Sequence, residues 1–315
     1  MHPALSIIFF TTFSGMGYGL LAALGVLAPL GALPVERSFG VSALLIALGC
    51  VSAGLLSSTL HLGHPERAWR AMSQWRSSWL SREGICALVT YVPALLFGLL
   101  WILDVGNAAW TASGFLSAAG AVATVICTAM IYRSLKPIRA WCNGWVVPNY
   151  LALAAMTGLI WLTMLLAAFQ RPDISLLGVT ALIVVAAAAL KVGYWHWIDA
   201  HPTPATAASA TGLPAGGKIR PLNPPHTEEN YLLKEMGYRI ARRHAAKLRR
   251  IALAVGFAIP LLALAMTWLA DGGAVSVGVA LAGALAATTG TLIERWLFFA
   301  EAKHTVTLYY RADAS

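Results

Sequence analysis

The sequence predicts an all-α integral membrane protein, a bundle of eight transmembrane helices that forms one domain over residues 1–315. Three observations carry this prediction. Of the 315 residues, 58% are hydrophobic and 11% are charged, whereas a soluble domain carries roughly 25% charged residues. Apolar stretches repeatedly reach the ~20 residues that a bilayer core about 30 Å thick requires of a helix. Basic residues crowd into alternate loops, the pattern that membrane insertion imposes on a multi-pass chain.

The first span, 4–31, has no basic n-region, cleavage pattern or twin arginine and is too long for a signal peptide, so it reads as a retained helix. Spans two to four follow at 41–62, 84–103 and 108–132. The fifth and sixth, 150–169 and 174–197, are separated by a short turn, and the last pair occupies 251–270 and 275–298. Within each span the backbone must satisfy its own hydrogen bonds, because the bilayer core offers none.

Between the sixth and seventh spans, residues 199–250 form a long loop. Its first part, 199–227, is rich in Pro, Ala, Thr and Gly and has no hydrophobic period. The segment from Glu228 to Arg250 then places acids first and bases last, as a helix dipole favours, with Thr227 as its candidate N-cap. Its basic end suits anionic lipid headgroups, an acidic partner subunit or a simple stop signal.

The net charge of +9 describes topology here, and no nucleic-acid partner is expected. Loops 63–83, 133–149 and 198–250 hold sixteen Lys/Arg, whereas the opposite loops hold Arg37 and Arg171. The basic loops, and with them both termini, are therefore expected in the cytoplasm of a bacterial inner membrane. Trp69, Trp75, Trp79, Trp141, Trp145, Trp195, Trp197 and Trp296 fall near that face, where indoles favour the headgroup layer.

Metal chemistry finds little support. Cys50, Cys86, Cys127 and Cys142 lack ligand-like spacing, so iron–sulfur clusters and zinc are not expected in this chain. None of the eight histidines falls in the middle of a span, which argues against haem. A transporter would show charged residues or broken helices near the midplane, and only ordinary interruptions such as Pro93 and Pro260 occur.

The most informative segment is STLHLGHPERAW, residues 58–69 preceded by Ser57, at the end of the second span. It brings His61, His64 and Arg67 to the membrane surface, and Glu83 opens the next span in LSREG. A quinone needs an apolar slot, a hydrogen-bond donor to its carbonyls and a proton route. His61 can donate and titrates near neutral pH, Glu83 can relay protons, and Arg67 can stabilise the charge of a partly reduced ring. A lone histidine at that depth can equally be a plain interfacial side chain.

Among the other polar groups, Lys191 lies about two turns from a helix end, within snorkelling reach of the interface. Glu294 and Arg295 are expected to pair with loops or face a docked partner, and Tyr194, Trp195 and His196 either flank a quinone ring or belong to an aromatic belt.

STLHLGHPERAW and LSREG closely resemble the S-T-L-H-L-G-x-P-x-R-A and L-S-x-E signatures of the dimethyl sulfoxide reductase anchor subunit family. The similarity extends to the eight spans, the long sixth loop and the C-terminal ERWLFFAEAKH. The resemblance implies quinone binding at His61, Arg67 and Glu83, with His64 at a variable position and so ranked lower. It implies partners as well: a ferredoxin-like subunit with [4Fe-4S] clusters and a molybdopterin catalytic subunit. The start MHPALSIIFFTTFSGMGYGL and the cytoplasmic basic loops are most similar to the sulfite-dehydrogenase branch, in which electrons reach ubiquinone or menaquinone from sulfite. An anchor that oxidises quinol for a reductase and a passive anchor without its own quinone site are the alternatives.

Overall fold

A computed structural model describes residues 5–59, 64–202, 205–213, 219, 222–223, 243–270 and 272–309. Among the described residues, eight helices are long and apolar enough to cross a membrane: α1 (Leu5–Leu27), α2 (Arg37–Thr59), α3 (Trp79–Ile102), α4 (Ala108–Arg133), α5 (Val146–Ala168), α6 (Ile174–Ala200), α7 (Ala245–Leu269) and α8 (Gly273–Ala300). Successive spans reverse direction. On one side, which we call the motif face, lie the start of α1, the end of α2 and the ends of α6 and α8. Ser57 there donates to Ser6 O at 3.1 Å, and Thr305 N–H donates to Pro137 O at 3.0 Å. On the opposite face Arg171 pairs with Glu36 at 3.0 Å.

Helix ends depart from the hydropathy windows for local reasons. α1 stops at Leu27 because Pro29 follows and Gly31 turns the chain at φ +74°. α3 starts at Trp79, five residues before its apolar window, because the Ser78 hydroxyl caps Ser81 N–H at 3.4 Å. That extra turn carries Ser81, Arg82 and Glu83 into the helix.

α1 and α5 are the innermost helices, with two thirds of their apolar windows buried inside the bundle. They cross backbone to backbone: a Cβ at Gly19 would sit 1.8 Å from Ala154 O, and one at Gly158 2.2 Å from Gly19 C. Small residues allow the close approach that dispersion-driven packing needs in lipid.

α7 is interrupted by a π turn over Ala254–Ala258, where Ile259 N–H donates to Ala254 O, five residues back. Pro260 has no N–H, so the ladder before it loses a donor and re-registers. Pro260 therefore produces a defined local distortion of its span. The widened turn presents Gly256 to Gly290 of α8, where a Cβ on Gly290 would meet Gly256 Cα at 2.1 Å.

Two expected interfacial tryptophans turn out to be core. Trp141 and Trp195 are 8% and 4% exposed: the 134–145 loop folds Trp141 back onto α8, and Trp195 of α6 lies under the Lys191 and Arg249 side chains. Trp141 Nε1 donates to Phe298 O at 2.9 Å; its ring stacks on Phe298 and meets Tyr132 edge-on, and Tyr150 packs against both of these. Trp69 and Trp75 remain exposed at the motif face.

Candidate functional site

The α2–α3 connection forms a 3-10 helix over Pro65–Gln74, with His64 at its N-cap and Pro65 at its first position. Ten residues is long for this geometry, and the segment is held by its neighbours. Ser81 Oγ of α3 donates to Ala71 O. Arg82 donates to Trp75 O at 2.8 Å and Arg76 O at 2.7 Å, with its guanidinium 4.3 Å from the Trp79 ring. The outer face carries Glu66, Arg67, Trp69 and Arg70, all exposed. His64 Nδ1 lies 3.1 Å and Arg67 Nε 3.6 Å from Glu66 Oε1.

Glu83 points the other way. It is 4% exposed, lies on α3 beneath this connector and meets the Thr128 hydroxyl of α4. The Cys86 and Cys127 sulfurs, 3.9 Å apart, continue the same α3–α4 seam. Thr128 lines a small cavity of about 20 Å³ between α1, α4, α5 and α8, whose wall also includes Thr12, Tyr18, Tyr150 and Arg295.

On the far side of the cavity lies a buried charge cluster. Lys191 of α6 pairs with Glu294 Oε1, and Arg295 Nε donates to Glu294 Oε2 at 2.6 Å. All three side chains are 2% exposed or less. Lys191 Nζ lies 4.3 Å from the Tyr194 ring centroid and 5.0 Å from that of Trp195, and Arg295 lies 4.0 Å from that of Tyr150. These contacts correct two expectations. Lys191 does not snorkel, because it faces α8 rather than lipid. Glu294 and Arg295 pair inward, not with loops or a docking surface. Tyr194 and Trp195 serve as the walls of this cluster.

Nearer the motif face, Arg249 bridges Asp199 at 2.6 Å and Glu301 at 2.8 Å, tying α6, α7 and α8 together. Burial raises the Glu301 carboxyl above the ordinary carboxylate range, opposed by Arg249. Arg249, counted with the basic end of the 228–250 segment, is thus committed inside the chain. Thr227 and most of that segment lie outside the described residues.

An apolar groove of about 770 Å³ opens at the same end of the bundle, walled by Leu5, Phe9, Ser57, Leu248, Ile293 and Trp296. Its size is that of a small-molecule site, and Ser57 places it four residues before His61. His61 itself lies outside the described residues. Among them, no group of three or more His, Cys, Asp and Glu side chains is arranged to hold a metal ion.

The sequence matches the family model for the DMSO reductase anchor subunit (DmsC) over residues 1–300. The chain belongs to this anchor family. It is also 31% identical, over 330 aligned positions covering all of both chains, to the sulfite dehydrogenase C subunit of Allochromatium vinosum. It is therefore a multi-pass membrane protein, and an anchor subunit of this family implies catalytic molybdoenzyme partners.

Within this DmsC-type chain the three described motif residues, His64, Arg67 and Glu83, do not form one constellation. His64 and Arg67 share the exposed carboxylate of Glu66, while Glu83 is buried one layer below with Thr128. Sequence reasoning missed Thr128 and the Lys191–Glu294–Arg295 cluster. An intramembrane threonine carries no hydropathy signal. Three ionisable residues on two spans did offer a signal, but their mutual contact needs the packing of α6 on α8.

Proposed function

We propose that this chain is the quinone-reducing membrane anchor of a molybdenum and iron–sulfur oxidoreductase, and that its electrons come from sulfite. The observation that carries the proposal is the burial of Glu83 beneath the family's motif. A carboxyl nearly sealed from solvent at the end of a span is costly unless it has a task, and reduction of a quinone requires protons at that depth. The full-length similarity to a sulfite dehydrogenase subunit supports the choice of electron source.

In this reading the exposed face of the 65–74 helix receives a ferredoxin-like iron–sulfur subunit, with the molybdopterin subunit beyond it. The quinone ring enters the groove beside Ser57 with its tail in lipid. His61 and Glu83 supply hydrogen bonding and protons, Arg67 stabilises negative charge, and His64 has the lesser part. The sixteen Lys/Arg in the motif-face loops support a cytoplasmic position for that face and both termini, in a bacterial inner membrane. Proton uptake and electron donation then occur on one side, so the step itself stores little energy.

A His61→Leu complex is expected to reduce quinone about tenfold more slowly or worse, the usual loss when a proton-transferring group is removed. Steady-state sulfite:quinone assays on assembled complexes measure it. Wild-type turnover in that variant would support a passive anchor.

A further inference from the structure

We infer that the cavity between α1, α4, α5 and α8 holds ordered water that supplies protons to Glu83, with Thr128 as the positioning residue between them. The inference rests on the proposed quinone role of Glu83 and adds where its protons come from.

The cavity wall is mainly apolar but carries several hydroxyls and a guanidinium, in a place where lipid offers nothing polar. Thr12 Oγ1 is buried without a hydrogen-bond partner among the described residues, and the Tyr18 hydroxyl beside Thr124 and the Tyr150 hydroxyl beside Arg295 meet those neighbours without good hydrogen-bond geometry; Thr12, Tyr18, Tyr150 and Arg295 all line the cavity. Buried polar atoms are almost always satisfied, by protein or by ordered water. A space of about 20 Å³ exceeds the minimum of roughly 10–15 Å³ that one water needs, and several polar partners surround it. An uncharged, hydrogen-bonding molecule of that size is water.

Thr128 has the geometry of a relay. Its Oγ1 is within bonding reach of both Glu83 Oε1 and, at 3.1 Å, Thr124 O. A hydroxyl has one proton, so it cannot donate to both. With Glu83 ionised, the hydroxyl donates to the carboxylate. With Glu83 protonated, the carboxyl donates to Oγ1 and the hydroxyl turns to Thr124 O. Both states are hydrogen-bonded.

The proton balance follows. Quinone takes two electrons from the partner's cluster and two protons to become quinol. Each proton that leaves Glu83 is replaced through Thr128: its O–H passes to the carboxylate as a cavity water delivers a proton to Oγ1. The cavity is refilled from the motif face. Arg295 keeps its proton and only fixes Glu294 beside the cavity, while Glu301, the C-cap of α8 two turns beyond Glu294, is paired with Arg249 at the motif face.

Three variants of the whole membrane-bound complex test this, each compared at equal assembly of the partner subunits. Thr128→Val, isosteric without the hydroxyl, is expected to lower kcat for quinone about tenfold or more while leaving KM unchanged. It should also raise the solvent deuterium isotope effect, which a purely structural role would not move. Thr128→Ser is expected to restore both, and Thr12→Leu, which fills the cavity, to slow turnover like Thr128→Val.

Wild-type kcat and isotope effect in Thr128→Val and Thr12→Leu, with a slow Glu83→Gln complex, would overturn the water route and leave the quinone reading standing. Wild-type kcat in Glu83→Gln as well would remove both. If the variants fail to assemble, a high-resolution map of the wild-type complex decides: a water within about 3.2 Å of Arg295 Nη1 is expected, and a dry cavity refutes the inference.

Discussion

Replacing Glu83 with Gln is expected to lower quinone turnover by the assembled complex by about 10²-fold or more, the range over which positioned acids and bases act. Gln preserves the volume of the side chain and its ability to bond Thr128, so helix packing and assembly should survive. What it removes is the exchangeable proton. The loss should appear in kcat, with KM for quinone within about twofold, because Glu83 delivers its protons from the α3–α4 seam and is not one of the residues that wall the groove. Turnover by membranes carrying equal amounts of wild-type and variant complex measures the effect.

Glu294→Gln is expected to have the largest effect on stability. Glu294 is the anion between two buried cations, Lys191 and Arg295. Removing one partner of a buried pair costs about 3–5 kcal/mol, because a charge is left uncompensated in a low-dielectric interior. Lys191 can escape by losing its proton; Arg295 cannot. The thermal unfolding midpoint of the detergent-solubilised complex should fall by roughly 5–10 °C. Replacing the whole cluster, with Lys191→Met, Glu294→Leu and Arg295→Met together, should restore most of that loss, since apolar side chains of similar volume replace buried ion pairs at little or no cost. The triple variant should still turn over slowly, because Arg295 lines the cavity that feeds Glu83.

The eight helices were legible because hydropathy is a one-dimensional property: a span announces itself whatever it packs against. Helix ends were less so. The first turn of α3 is polar, and its start depends on the Ser78 cap rather than on apolar content. The identity of the family could be read from STLHLGHPERAW and LSREG, and the family-model match over residues 1–300 agrees with that reading.

The direction in which each polar side chain points was not legible. Lys191 sits at a distance from its helix end that permits snorkelling in an isolated helix, and only the approach of α8 turns it inward. Glu66 offers another case. It occupies a variable position inside the motif, yet it takes both His64 and Arg67 as partners at the surface. Similarly, Trp141 and Trp195 have the composition of an aromatic belt, yet a loop folded onto α8 buries the first and the Lys191 and Arg249 side chains cover the second. Which face of a helix is inside is a property of the bundle.

In the proposed reading, quinone held by this chain takes electrons from the partner's cluster at the cytoplasmic face, and sulfite-dependent quinone reduction by sealed membrane vesicles tests it most directly. Inverted inner-membrane vesicles containing the complex are predicted to reduce quinone with sulfite, right-side-out vesicles to be inactive unless permeabilised, and membranes given the catalytic subunits without this chain to be inactive in both. Equal rates with and without the chain, or activity confined to intact right-side-out vesicles, would contradict the account.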